Sequence, residues 1–156
     1  MMKNNSSLTL RSIFRYLMEN RYYPIYEKSH ILFELGGNMA VIELDEDIIT
    51  LRIFFSIEEN DYDRLLEASN SCMTRTYMIK AAILEDMKNI MFSCEILCHT
   101  LRDFVRFFPR MTELTKEAIE VHKQEMKRLL LTEEILKATM PVAEDSATGT
   151  ERKILS

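Results

Sequence analysis

The sequence predicts an α+β fold: a two-layer sandwich with an antiparallel sheet of five to six strands, in the element order α-β-β-β-β-α-β-β-α. Three observations predict it. The first is the run from Ile49 to Ile57, where Ile49, Leu51, Ile53, Phe55 and Ile57 alternate with Thr50, Arg52, Phe54 and Ser56. Alternation with a period of two belongs to a strand buried on one face. The second is a pair of turn signals just before it, Gly36-Gly37-Asn38 and Asp45-Glu46-Asp47, spaced for tight hairpins. The third is a set of three helical stretches whose apolar stripes need a surface to lie on.

In chain order, residues 1–6 are polar and expected to fray. Ser7 can cap a helix reaching about Asn20, in which Leu10, Ile13, Phe14 and Leu17 form one stripe. Tyr22-Tyr23-Pro24 ends it, because the residue before a proline is pushed out of the helical region. A short strand over about Tyr23 to Lys28 follows, then one over His30 to Leu35 with Ile31, Phe33 and Leu35 on one side. Gly36-Gly37 tolerates the positive φ that a tight hairpin demands. The central hairpin begins at Met39, with Ala40, Ile42 and Leu44 on one face and Met39, Val41 and Glu43 on the other.

Asn60 is placed to cap a second helix, with Asp61 and Asp63 in its positive first turn. Its expected buried stripe is Tyr62, Leu65, Leu66, Ser69, Cys72 and Met73. A second hairpin starts near Thr74, with Tyr77, Ile79, Ala81 and Ile83 on the core face, a turn at Glu85-Asp86, and then Ile90, Phe92, Cys94 and Ile96. A long last helix begins near Thr100 with Leu101, Phe104, Val105 and Phe108 inward. Pro109 is expected to bend or break it. The periodicity resumes in Leu114, Ala118, Val121 and in Ile119, Met126, Leu129, Leu130. The domain is therefore drawn over 1–138, with 139–156 as a disordered tail.

Composition narrows the function classes. A chain of 156 residues is one domain on size, and 47% apolar with 29% charged residues is ordinary for a globular protein. A net charge of −5 disfavours a nucleic-acid binder, whose phosphate contacts need a basic face. The odd count of cysteines and the absence of an apolar leader or a long apolar run predict a cytoplasmic protein outside the membrane.

Candidate chemistry is sparse. Cys94, Cys98 and His99, with Cys72 as a fourth ligand, raise the idea of a metal site, but the spacing lacks the close Cys-x2-Cys pair of a zinc knuckle. They are read as core thiols and a histidine past the strand end, with no metal. A Cys/His nucleophile would need an exposed, acidified thiol, which nothing here supplies. The acidic clusters at Asp45-Glu46-Asp47, Glu58-Glu59, Asp61-Asp63 and Glu85-Asp86 fall at turns or a helix start and match no calcium loop. With three glycines in the chain, no phosphate-cradling loop and no nucleophile elbow are present. No catalytic residue and no cofactor are expected.

The eleven methionines bear on binding. Met39, Met78 and Met91 fall on the less apolar faces of their strands, joined by Val41, Phe54 and Leu84. Adaptable thioethers fill core gaps and also suit surfaces that accept partners. The expected interaction surface is Met39, Val41, Phe54, Met78, Met91 and Met126, with a protein partner or a second copy of the chain covering it.

The stretch Leu65-Leu66-Glu67-Ala68-Ser69-Asn70, the strand Tyr77 to Ile83, and Ile90 to Leu97 followed by Leu101, Phe104, Val105 and Phe108 carry a family likeness. Together with the element order they resemble the YbjN-type bacterial family of proposed sensory transduction regulators, which is similar in fold to type III secretion chaperones. Asn70 matches the family's asparagine-rich helix end, while a second asparagine near Met73 is missing. The resemblance implies a non-enzymatic regulator or protein-binding module, often a homodimer in the chaperone branch. The alternative is a small enzyme or ligand-binding protein on the same sandwich, which would show a pocket with converging polar groups.

Overall fold

A computed structural model describes residues 7–139. The expectations for residues 1–6 and for 140–156 lie outside the described residues. The elements are α1 (Leu10–Glu19), β1 (Ile25–Tyr26), β2 (His30–Leu35), β3 (Asn38–Asp45), β4 (Ile48–Ser56), α2 (Tyr62–Arg75), β5 (Ile79–Ile83), β6 (Asn89–Leu97) and α3 (Leu101–Thr139). The order is the expected one. The six strands form one sheet, β1-β2-β3-β4-β6-β5, with every neighbouring pair antiparallel.

The turns explain the sheet. Gly36 and Gly37 are the two residues between Leu35 and Asn38, and both have positive φ, +58° and +83°. That is the backbone of a two-residue hairpin whose twist matches its strands. Glu46 takes φ +55° in the Asp45–Ile48 hairpin, a left-handed position filled here without glycine. At the β5–β6 connection Asp86 accepts hydrogen bonds from the backbone N–H of Lys88 and from the Asn89 side chain. These bonds hold its carboxyl below the usual carboxylate range.

One face of the sheet makes the core. Ile53 lies across from Ala40 and Phe92, Leu51 across from Ile42 and Cys94, and Ile49 across from Leu44 and Ile96. Ile49, Leu51, Ile53, Ala40, Ile42, Phe92 and Cys94 are all buried. The helices lie on this face. Phe33 of β2 meets Tyr22 and Phe108 edge-on or tilted, and Phe104 and Phe108 pack against Tyr16 of α1. Ile13 and Leu17 of α1 are completely buried, as the stripe predicts. Each such side chain contributes about 1.5–3 kcal/mol when fully buried.

Several sequence expectations need correction. Thr9, not Ser7, caps α1: its hydroxyl accepts from the Ser12 N–H while the Ser12 hydroxyl accepts from the Thr9 N–H. Ser7 instead bridges to Thr100. Asn60 does not cap α2, which is entered through a 3-10 turn over Glu59–Asp61 without a side-chain cap. The buried stripe of α2 is Leu65, Ala68, Ser69 and Cys72, leaving Leu66 and Met73 exposed. Small Ala68 and Ser69 lie inward because α2 packs closely on α3, where the Cys72 thiol donates to the Ala118 carbonyl at 3.2 Å. Tyr77 is exposed, not inward, because the chain turns through positive φ at Met78 and β5 starts only at Ile79.

Pro109 does not break α3, which runs without interruption from Leu101 to Thr139. The ring sits on the exposed side of the helix, one turn after Val105, itself exposed rather than inward as expected. The Val105 carbonyl that loses its N–H partner is thus on the side where water can replace it. Phe104 and Phe108 on the opposite side stay buried and hold the helix to the sheet.

Candidate functional site

Among the described residues no helix covers the second face of the sheet. Along it, Phe54 lies across from Met91, Met91 across from Ala82, Glu34 across from Met39, and Val41 between Leu32 and Arg52. Met39 is 56% exposed and Phe54 40% exposed; Val41 and Met91 are half-buried. These four residues of the expected surface come together at the end of the sheet that holds the Gly36-Gly37 hairpin. At the opposite end Ile48 and Leu97 are paired and exposed. The sequence missed Leu32, Ile25 and Ile48 on this face, because their runs show strong alternation only for the core side.

Charged residues cross the middle of the face in two adjacent rows. One row is Arg52, Ser93 and Lys80; the next is Glu43, Thr50 and Glu95. Arg52 pairs with Glu43 at 2.5 Å and Lys80 with Glu95 at 3.8 Å. Thr50 and Ser93 are small enough to be buried beneath these longer neighbours.

Two expected members lie elsewhere. Met78 is at the β5 edge, exposed, over a hollow it shares with Leu97, Phe107 and Met111. Met126 is on α3, on the helical side of the sheet. There it lines a cleft of about 290 Å3 between the end of β4, the start of β6, α2 and α3. Phe55, Ile57, Leu65, Ile90, Phe92 and Ile119 form its walls.

His122, also on the wall, is a residue the sequence did not single out. It is buried, with Nε2 at 3.3 Å from Ser69 Oγ and its ring edge-on to Phe92 at 5.0 Å. Burial lowers its pKa below the ordinary 6.5, against a smaller opposing effect of the Leu65 backbone. The unfolded chain therefore takes up the proton first. The stability this group supplies is present above pH 6.5 and is lost as pH falls through the folded value. Comparing melting temperatures at about pH 7.5 and about pH 5.5 should show a larger drop in the wild type than in His122→Gln. Equal drops would assign the acid sensitivity to other groups.

The cysteines are core residues. Cys72, Cys94 and Cys98 are free and buried, and Cys94 points inward opposite Leu51. Burial pushes the Cys94 thiol up to about 11 and raises Cys72 and Cys98 as well, the opposite of a reactive thiolate. His99 lies past the strand end, exposed, 3.5 Å from an Asp47 carboxylate oxygen. Among the described residues no three of His, Cys, Asp and Glu gather as a metal site. Among the same residues no helix is long and apolar enough to cross a membrane.

No family model matches the chain, and no curated protein matches it in sequence. Solved structures do match. YbjN from E. coli, described there as a proposed transcription regulator, aligns with a TM-score of 0.62 at 10% identity, over 78% of this chain and 94% of that one. The fold is YbjN-like. An uncharacterized protein from Methanothermobacter thermautotrophicus shares it with a TM-score of 0.54 at 12% identity, over 78% of this chain and 99% of that one. The YbjN-type resemblance carried by the residues from Leu65 to Phe108 thus holds at the level of the fold.

Proposed function

We propose that this chain is a non-enzymatic protein-binding module, chaperone-like or regulatory, whose bare sheet face joins a second copy of itself. The observation that carries it is that face, with Met39, Val41, Phe54 and Met91 clustered on a sheet whose helices, among the described residues, lie on the other side. The regulatory description given to YbjN leans the same way. From strand spacing and rise, the four longer strands present roughly 500–700 Å2, near the ~800 Å2 per partner of a standard interface.

The charges favour a twofold partner. A twofold axis lying in the interface between the two polar rows sets Arg52 and Lys80 of one copy against Glu43 and Glu95 of the other. The same operation lays the Met39, Phe54 and Met91 cluster on Ile48 and Leu97 of the partner copy. A face that is its own complement suits a closed dimer.

Light scattering at micromolar concentration tests this. The expected mass is two chains for the wild type and one chain for Met39→Asp/Phe54→Asp, with the melting temperature of the isolated fold preserved. A single-chain mass for the wild type, or a dimer indifferent to both substitutions, refutes the reading.

A further inference from the structure

We infer that the cleft between the sheet and α2 and α3 is a binding site for an amphipathic monocarboxylate, a short- to medium-chain fatty acid. The site stands apart from the open face and does not depend on the dimer. Its walls are aliphatic and aromatic: Phe55, Ile57, Leu65, Ile90, Phe92 and Ile119. Its volume, about 290 Å3, lies at the lower end of the range for small-molecule sites. That space suits one unbranched chain of about eight to ten carbons and is small for a polycyclic or nucleotide ligand.

The polar groups of the cleft choose the headgroup. Lys123 and Lys127 also line it, one helical turn apart on α3 and both exposed. Among the described residues neither forms an ion pair, although Glu120, Glu125 and Glu133 share the helix. The Lys123 ammonium stands 5.9 Å from the centre of the Phe55 ring, at the boundary between the apolar wall and water. The acidic Glu58, Glu59 and Asp63 line a separate hollow beyond Ile57 and none of this one. His122 in the wall is occupied by Ser69 and is held neutral by burial, so it adds no charge of its own at neutral pH. An apolar slot with two unpaired ammonium groups and no carboxylate is complementary to an acyl chain ending in an anion.

Calorimetric titration of the full chain with sodium hexanoate, octanoate and decanoate, each below its micellar concentration, tests the site. Expected is saturable one-to-one binding that tightens about fourfold per added methylene until the cleft is full. Lys123→Gln/Lys127→Gln should weaken decanoate binding about tenfold, and decylamine should bind more weakly than decanoate. Met126→Trp, at a half-buried position of the cleft, should block binding, while Phe54→Asp on the open face should leave it unchanged. Absence of decanoate binding, equal affinity for decylamine, or full binding by Met126→Trp overturns the proposal. If Met126→Trp fails to fold, the lysine pair and the decylamine comparison decide it.

Discussion

Ile53→Asp is expected to leave the chain unfolded at neutral pH. Ile53 is 1% exposed and lies between Ala40 and Phe92 in the middle of the core face. A carboxylate there finds no cation and no donor, so it is either buried charged or protonated, and both states cost several kcal/mol against a typical total of ~5–15. Phe54, the next residue, points to the opposite face and is 40% exposed. Phe54→Asp should therefore keep its far-ultraviolet circular dichroism and a cooperative melt. Similar losses for the two variants would mean that the register of β4 is wrong, because a one-residue slip exchanges the two faces.

Phe108→Ala is the second large effect. Phe108 is fully buried and is the ring at which three elements meet. It stands 5.0 Å from Phe104, 5.5 Å from Tyr22, 5.9 Å from Tyr16 and 5.9 Å from Phe33, ring centre to ring centre. Truncation removes the transfer free energy of the ring and opens a hole that these rigid neighbours cannot close, a loss of about 3–5 kcal/mol. The urea midpoint should fall accordingly. Phe107→Ala, at an exposed position on the same turn, should change stability by less than about 1 kcal/mol. A small effect at Phe108 would show that α1 and β2 do not lean on α3 through this cluster.

The strands of this fold are legible in the sequence because burial on one face writes itself as a period of two. Ile49, Leu51, Ile53 and Phe55 state their side, and so do Ile90, Phe92 and Cys94. Helix ends are less legible. Ser7 and Thr9 are chemically alike as caps, and only the reciprocal partner Ser12 selects Thr9. In the stripe of α2, Leu65, Ser69 and Cys72 are inward as the spacing predicts, but close packing on α3 takes small Ala68 in place of Leu66 and Met73, because periodicity scores apolar bulk rather than fit. Pro109 misled for a related reason: its effect depends on whether the orphaned carbonyl faces water, which no local pattern records.

The candidate surface was legible in part. Met39, Val41, Phe54 and Met91 could be collected from the sequence because they sit on the outward phase of readable strands. Met78 is expected on the outward face of its strand but lies just before β5, since the left-handed turn that takes it out of the strand uses no glycine. The lysine-flanked cleft was invisible, because it joins residues from β4, α2, β6 and α3 whose spacing along the chain carries no signal.

The length of α3 has a dynamic consequence. Thirty-nine residues span about 58 Å, roughly twice the length of the nine-residue strand beneath it. Among the described residues Leu129 is the last buried side chain, and beyond it only Glu133, paired with Arg64 at 2.5 Å, ties the helix to α2. Among the described residues, the turns beyond Leu129, with Leu131, Ile135 and Leu136 exposed, have little but their own hydrogen bonds to hold them. They can unwind one turn at a time while everything up to Leu129 stays closed. The described fold thus carries two scales of opening: a cooperative body, and a helical arm beyond Leu129 whose amide protons can exchange by local unwinding.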